Sequence, residues 1–164
     1  MMRNGVLAIL LVLMLQGCGF QLRGSYDLPA AFQQVAVTAP KFSEFADVLK
    51  LQLEQAGAQH AGAQPSLTID IVSDRLDRRT LSLSSSGQVA EYELIYTVQY
   101  QLELNGQLGE VNQIEVFRDY QDDPNFALAK TRERELLVAE MRMEAARMLL
   151  QRVIQQVSQT ATDA

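Results

Sequence analysis

From Ala90 to Leu104 every second residue is apolar: Ala90, Tyr92, Leu94, Tyr96, Val98, Tyr100, Leu102 and Leu104. Glu91, Glu93, Thr97, Gln99, Gln101 and Glu103 fall between them. A period of two sends the sets to opposite faces of a strand, so one face is covered and the other wet. Val89 to Leu104 is 16 residues, which at roughly 3.3 Å each rise about 50 Å, far beyond the usual strand of five or six. Asn105-Gly106 follows, a pair suited to the two-residue hairpin turn whose central residues both need positive φ. A return strand should then run through Ile114, Val116 and Tyr120.

Upstream, Leu67, Ile69 and Ile71 alternate with Thr68 and Asp70, predicting a strand that runs to about Leu76. Its end is basic, with Arg75, Arg78 and Arg79 near Asp74 and Asp77, and Leu81 to Gln88 reads as a solvated, serine-rich connection. Phe32 to Thr38, with Val35 and Val37 in alternation between Pro29 and Pro40, predicts a short first strand at an edge. The period changes between these strands. Phe42, Phe45, Ala46, Leu49, Leu53 and Ala56 recur at three- and four-residue steps and Gly57 follows, which predicts an amphipathic helix over 42–56. The linker Ala58 to Pro65 is small and polar and holds the sole histidine, His60. After Asp123-Pro124, a capping acid and a tolerated first-turn proline, nothing breaks a helix from Asn125 to about Ser158. Its apolar stripe is Leu137, Met141, Ala145, Met148, Leu149, Val153 and Val157.

The order βαβββα predicts an α+β two-layer sandwich, two helices packed on one face of a four-stranded mixed sheet. The first βαβ step should be right-handed, with strands one and two parallel. Strands two to four should form an antiparallel meander with a broad polar outer face.

The first twenty residues have a different character. Met1-Met2-Arg3-Asn4 carries one basic charge and precedes an apolar run from Gly5 to Leu15, too short for the roughly twenty residues that a spanning helix requires. Leu15-Gln16-Gly17-Cys18 places a small residue directly before a cysteine, the pattern of lipoprotein processing, in which the thiol accepts a diacylglyceryl group. The expected organisation is a signal peptide over 1–17, a lipidated segment over 18–30, one domain over 31–158 and a flexible tail over 159–164. Gly19, where an aspartate would favour inner-membrane retention, points to a lipid anchor on the periplasmic side of the outer membrane.

Removing residues 1–17 leaves 147 residues with 13 basic and 20 acidic side chains, a net charge of −7. Such a domain is a poor general partner for nucleic acid, which needs many cations to neutralise phosphate. Cys18 is the only cysteine, so lipidation leaves no disulfide and no thiolate metal site. His60 lacks the partners for a triad or a zinc centre. Glu91 and Glu93 share a strand face where solvated charges are common, although a carboxylate pair could serve a cell-wall hydrolase. Asp119, Asp122 and Asp123 lack the spacing and glycine of a calcium loop, and no glycine-rich nucleotide loop is present. No cofactor is expected, and the pattern favours binding over catalysis.

Several blocks in order carry a family resemblance. Cys18-Gly19-Phe20-Gln21-Leu22-Arg23-Gly24, Gly87-Gln88-Val89-Ala90-Glu91-Tyr92-Glu93-Leu94, Val116-Phe117-Arg118-Asp119-Tyr120, Asp123-Pro124, Leu128-Ala129-Lys130, Glu140-Met141 and Ala145-Ala146 together resemble the lipopolysaccharide-assembly outer-membrane lipoproteins of the LptE family. The resemblance implies a non-enzymatic partner of the large outer-membrane β-barrel that delivers lipopolysaccharide to the cell surface. In that role the lipoprotein plugs the barrel, helps it assemble and binds lipopolysaccharide. The resemblance also places Lys130 at a lysine implicated in ligand contact, and Arg134, four residues on, lies near the same helix start, where the dipole favours phosphate. The family's other implicated basic residue lies just before Gly-Gln, where this chain has Ser85-Ser86. Arg78, Arg79 or Arg118 are the candidate substitutes, with Arg118 completing the expected lipopolysaccharide-binding set. A generic envelope lipoprotein, docking another periplasmic protein through a strand edge, is the alternative binding role.

Overall fold

The computed structural model describes residues 28–162, apart from 63, 86 and 122. The expected signal peptide, the expected lipidation site at Cys18 and the segment up to Asp27 lie outside the described residues. The chain folds as strands β1 (Val35–Thr38), β2 (Leu67–Leu83), β3 (Val89–Leu104) and β4 (Gln107–Gln121), with helices α1 (Glu44–Gln55) and α2 (Ala127–Thr162). The sheet order is β1-β2-β3-β4, parallel between the first two and antiparallel thereafter. This is the expected βαβββα sandwich, with both helices packed on the sheet.

The period-two residues of β3 carry the core. Leu94, Tyr96, Val98 and Tyr100 are buried, with Leu67, Ile69 and Ile71 of β2 and Ile114 and Val116 of β4 on the same side. Phe45, Leu49 and Leu53 of α1 and Met141, Ala145, Leu149 and Val153 of α2 close over them. Burying a large apolar side chain contributes about 1.5–3 kcal/mol, which is why the two periods, 2.0 and 3.6, decide the architecture. Asn105 and Gly106 have φ of +50° and +80° and turn the chain between β3 and β4.

Several boundaries differ from expectation. The chain before β1 is a 3₁₀ turn, Ala30–Gln34, so the first strand has four residues. Gln59, in the linker, donates to the Phe32 carbonyl and accepts from the Val35 amide, at 2.9 and 3.0 Å, and Ala61 donates to the Val35 carbonyl at 2.9 Å. The linker with His60 thus pairs alongside β1 through main-chain groups, which side-chain periodicity does not register. Helix α1 begins at Glu44 because the Ser43 side chain caps the Ala46 amide at 3.2 Å. Phe42, expected on the helix's apolar face, is outside the helix and 98% exposed. Helix α2, preceded by a 3₁₀ turn over Pro124–Phe126 in which the Asp123 side chain caps the Asn125 amide at 2.9 Å, runs on through Thr162. Its 36 residues span about 54 Å at 1.5 Å each, close to the length of β3.

Strand β2 departs most from the sequence reading. It continues to Leu83, so Arg78 and Arg79, like Arg75 before them, are strand residues and not part of a loop. Ile71 faces Tyr100 and Ser73 faces Gln99, leaving Val72 as one extra residue. Such a bulge reverses which side chains point inward. Before it the odd-numbered residues Leu67, Ile69 and Ile71 face the helices; after it Asp74, Leu76 and Arg78 do, opposite Val98, Tyr96 and Leu94.

The outer face of the sheet is polar and cross-linked. Ser73 donates to Gln99 at 3.1 Å, Gln99 to Gln113 at 3.3 Å and Gln113 to Glu115 at 3.0 Å. Thr97, in the middle of this ladder, is only 3% exposed. Long polar neighbours cover it, so a face expected to be wet throughout has a dry centre.

Candidate functional site

At the end of the sheet far from the Asn105-Gly106 turn, a cleft of about 270 Å³ opens between β2, β3, β4 and the first turns of α2. Arg78, Tyr92, Tyr120, Lys130 and Arg134 line it, with Leu94 at its base. The two tyrosines stand on inward positions of neighbouring strands, where they are register partners. Each offers a ring to a cation. The Arg78 guanidinium lies 4.9 Å from the Tyr92 ring centroid and the Lys130 ammonium 5.5 Å from that of Tyr120, within reach of the negative ring face. The Tyr120 hydroxyl donates to the Lys130 carbonyl at 2.9 Å, tying β4 to the start of α2.

The charges do not balance inside the cleft. Lys130 pairs with Glu133 at 2.9 Å, and among the described residues neither Arg78 nor Arg134 has a carboxylate partner within 4.0 Å. Three cations therefore meet one paired carboxylate, in a domain that is acidic as a whole. The hydrogen bond from Lys130 to Glu133 is the main cause that raises the lysine pKa above its ordinary value; the Glu133 charge, Tyr120 and Asp123 act in the same direction. Partial desolvation opposes them. Lys130 is thus charged throughout the neutral range. Arginine forks and an ammonium on an aromatic floor are suited to phosphate oxygens, which arginine engages in pairs.

Of the residues singled out from sequence, Lys130 and Arg134 converge here, one helical turn apart on α2. Arg78 reaches the same cleft from β2 through the Val72 bulge. Arg118 stands beside it, as the register partner of Leu94, but its guanidinium pairs with Glu144 of α2. Arg79 is on the outer face, 2.6 Å from Glu93. Glu91 accepts from Ser82 and Gln121 at 2.9 and 3.2 Å, so Glu91 and Glu93 are members of the surface network, and neither lines the cationic cleft. Ser85 belongs to the turn between β2 and β3; Ser86 lies outside the described residues. Tyr92 and Tyr120 were legible only as core-facing strand positions, since their pairing with cations depends on the register of three strands. Among the described residues no group of three or more His, Cys, Asp or Glu side chains is placed to hold a metal ion, and no helix is long and apolar enough to cross a membrane.

Comparison with known proteins places this geometry. The sequence model of the family described as LptE, lipopolysaccharide-assembly, matches residues 32–153. The chain belongs to the LptE family. As an LptE-family member it is a non-enzymatic lipopolysaccharide-assembly lipoprotein. The LPS-assembly lipoprotein LptE of Pectobacterium atrosepticum is 30% identical over 149 residues, covering 88% of this chain and 81% of that protein. The LPS-assembly lipoprotein LptE of Yersinia pestis (strain Pestoides F) is 32% identical over 160 residues, covering 93% of this chain and 77% of its own length. The crystal structure of the rare lipoprotein B from Shewanella oneidensis superimposes with a TM-score of 0.66 at 37% identity, covering 79% of this chain and 97% of that one.

Proposed function

We propose that this LptE-family chain is anchored by lipid on Cys18 to the periplasmic side of the outer membrane. There it plugs and helps assemble a large β-barrel of the lipopolysaccharide translocon, and it binds lipopolysaccharide through the cationic cleft. The observation that carries the ligand reading is the convergence of Arg78, Lys130 and Arg134 over Tyr92 and Tyr120. Lipopolysaccharide carries phosphate groups, and cations that converge over an aromatic floor can engage them together through charge-assisted hydrogen bonds. Arg118 flanks the cleft and would join the ligand contacts on leaving Glu144. The polar, cross-linked outer face of the sheet suits a barrel whose lumen is wet. The lipid supplies a membrane address that a second contact with the barrel makes lasting.

The test has two arms. Tagged full-length protein is captured from detergent-solubilised outer membranes, and a stoichiometric large β-barrel is expected with it. Purified protein is then titrated with lipopolysaccharide; Lys130→Asp and Arg78→Glu should each weaken binding by about tenfold or more, the loss expected for one charge-assisted contact. Capture of the chain without a barrel would remove the plug role, and unchanged lipopolysaccharide affinity in both variants would remove the cleft.

A further inference from the structure

The end of the sheet opposite the cationic cleft carries a depression of different chemistry. Beside the Asn105-Gly106 turn, a groove of about 480 Å³ opens between the last turns of α2 and the β3–β4 hairpin. Leu67, Leu102, Leu104 and Val157 supply its apolar lining, and Gln156 and the exposed Glu110 are among its polar groups. Among the described residues no lysine or arginine lines it, and none pairs with Glu110 within 4.0 Å. Gln156 donates its side-chain N–H to Asn112 at 3.4 Å, while its buried side-chain oxygen receives no hydrogen bond among the described residues. An occupant that completes this groove therefore brings apolar side chains, an N–H donor and a positive charge.

The chain itself enters the fold at this end. Ser66 donates its amide to the Gln34 carbonyl and Asn105 donates its amide to the Ser66 carbonyl, both at 2.9 Å, so the start of β1 lies beside the hairpin turn. Val35 is the register partner of Leu67, a groove residue, and Leu28 packs on the same core as Leu67, Leu102 and Leu104. Ten residues, 18–27, lie between the expected processing site and Leu28, a reach of roughly 33 Å at 3.3 Å each. They include Phe20, Leu22 and Tyr26 and a single cation, Arg23. In extended backbone Phe20 and Leu22 share one side and Arg23 takes the other, which matches a leucine lining with a carboxylate at its exposed part. Main-chain N–H groups are the donors that Gln156 lacks.

We propose that residues 18–27 of this chain dock in the groove, with Phe20 and Leu22 against Leu102 and Leu104 and with Arg23 paired to Glu110. A covalently connected segment acts at an effective concentration on the order of millimolar, so a few such contacts suffice to hold it. Docking fixes the acyl anchor at the hairpin end. The cationic cleft then lies at the far end of a strand of 16 residues, about 50 Å from the anchored end. The placement of the lipid rests on the anchoring at Cys18 proposed above; the docking itself needs neither the barrel nor lipopolysaccharide.

The experiment is amide hydrogen exchange, read by mass spectrometry, on the full-length lipoprotein purified alone in detergent. Amides of residues 19–27 should exchange about tenfold or more slowly than in a free peptide of that sequence. Phe20→Ser combined with Leu22→Ser should remove this protection and leave exchange in residues 28–162 unchanged. Glu110→Arg and Arg23→Glu should each reduce it about threefold, the value of an exposed ion pair, and the two together should restore it. Exchange at the free-peptide rate in wild type overturns the proposal. Protection that the charge variants leave unchanged assigns it to the detergent surface, and protection lost on dilution assigns the groove to a second copy; either result overturns the docking. The intact mass reads processing and acylation at Cys18 separately, so a chain left uncut there overturns the placement of the lipid while exchange still decides the docking.

Discussion

Tyr96 and Tyr100 sit two inward positions apart on the same strand and are equally buried, yet their hydroxyls differ in one respect that sets opposite outcomes for the same substitution. Tyr96 donates to the Asp74 carboxylate at 3.1 Å. By distance and angle, Tyr100 has no hydrogen-bond partner for its buried hydroxyl among the described residues, although the Arg152 guanidinium is near enough to lower the hydroxyl pKa against the effect of burial. A hydrogen bond to an ionised acceptor contributes about 1.5–3 kcal/mol, whereas an unsatisfied buried hydroxyl costs about 1–3 kcal/mol. Because Asp74 keeps Ser43 as a donor, the lower figure applies to Tyr96→Phe, a loss of about 1.5 kcal/mol. Tyr100→Phe should gain about 1 kcal/mol after the small void left by the oxygen is counted. Taking the roughly 130 described residues at about 2.1 cal/mol/K each, 1 kcal/mol moves Tm by about 4 °C. Melts of the purified chain by circular dichroism should then show Tyr96→Phe about 5 °C below wild type and Tyr100→Phe about 4 °C above it. Equal destabilisation by the two would refute the reasoning, because it would mean that Tyr100 has a partner, through Arg152 or a bridging water.

The same pair sets the alkaline limit of the fold. Burial is the first cause that raises the pKa of both hydroxyls; the Asp74 charge and hydrogen bond add to it at Tyr96, where Arg142 opposes, while Arg152 opposes at Tyr100. The folded chain therefore keeps these protons after the unfolded chain has begun to lose them near pH 10. The stabilisation they contribute is complete below about pH 10 and declines as pH rises through the folded values, by at most about 1.4 kcal/mol per pH unit for each tyrosine; chemical denaturation from pH 9 to 11 should show the decline in wild type and less of it in Tyr96→Phe. In the core, Leu149→Ala removes a fully buried side chain between α2 and the sheet and should cost about 2–5 kcal/mol. A shift in the urea midpoint worth under 1 kcal/mol would show that α2 repacks freely.

Much of the architecture was legible because it rests on side-chain period. The β3 stripe from Tyr92 to Leu104 and the α2 stripe from Leu137 to Val157 each name a face, and Asn105-Gly106 names its turn from the φ values it must adopt. What escaped the period was main-chain pairing and parity. The linker around His60 pairs through its backbone, so its composition reads as a connector. Phe42 fits a helical spacing, but the capping side chain of Ser43 starts the helix after it. Arg78 was visible as a nearby cation, while its place in the cleft depends on an extra residue six positions earlier. Lys130 and Arg134 could be put on one helix face from their spacing; that Tyr120 and Tyr92 lie beneath the cations required knowing which strands adjoin.

The extra residue at Val72 makes the assignment of charge to the two sides of the sheet a matter of counting. On a regular strand Arg75, Asp77 and Arg79 would share a side with Ile71, and Arg78 would look outward; with the bulge, the arrangement is reversed. The chain can therefore vary the identity of residue 72 widely at little cost to the cleft, because its side chain is exposed and outside the cleft lining. It cannot vary the number of residues there. Length, at this one point, is the heritable instruction that decides which arginines face a ligand, and related sequences that keep a cationic cleft should differ across this stretch by substitution and not by single-residue insertion or deletion.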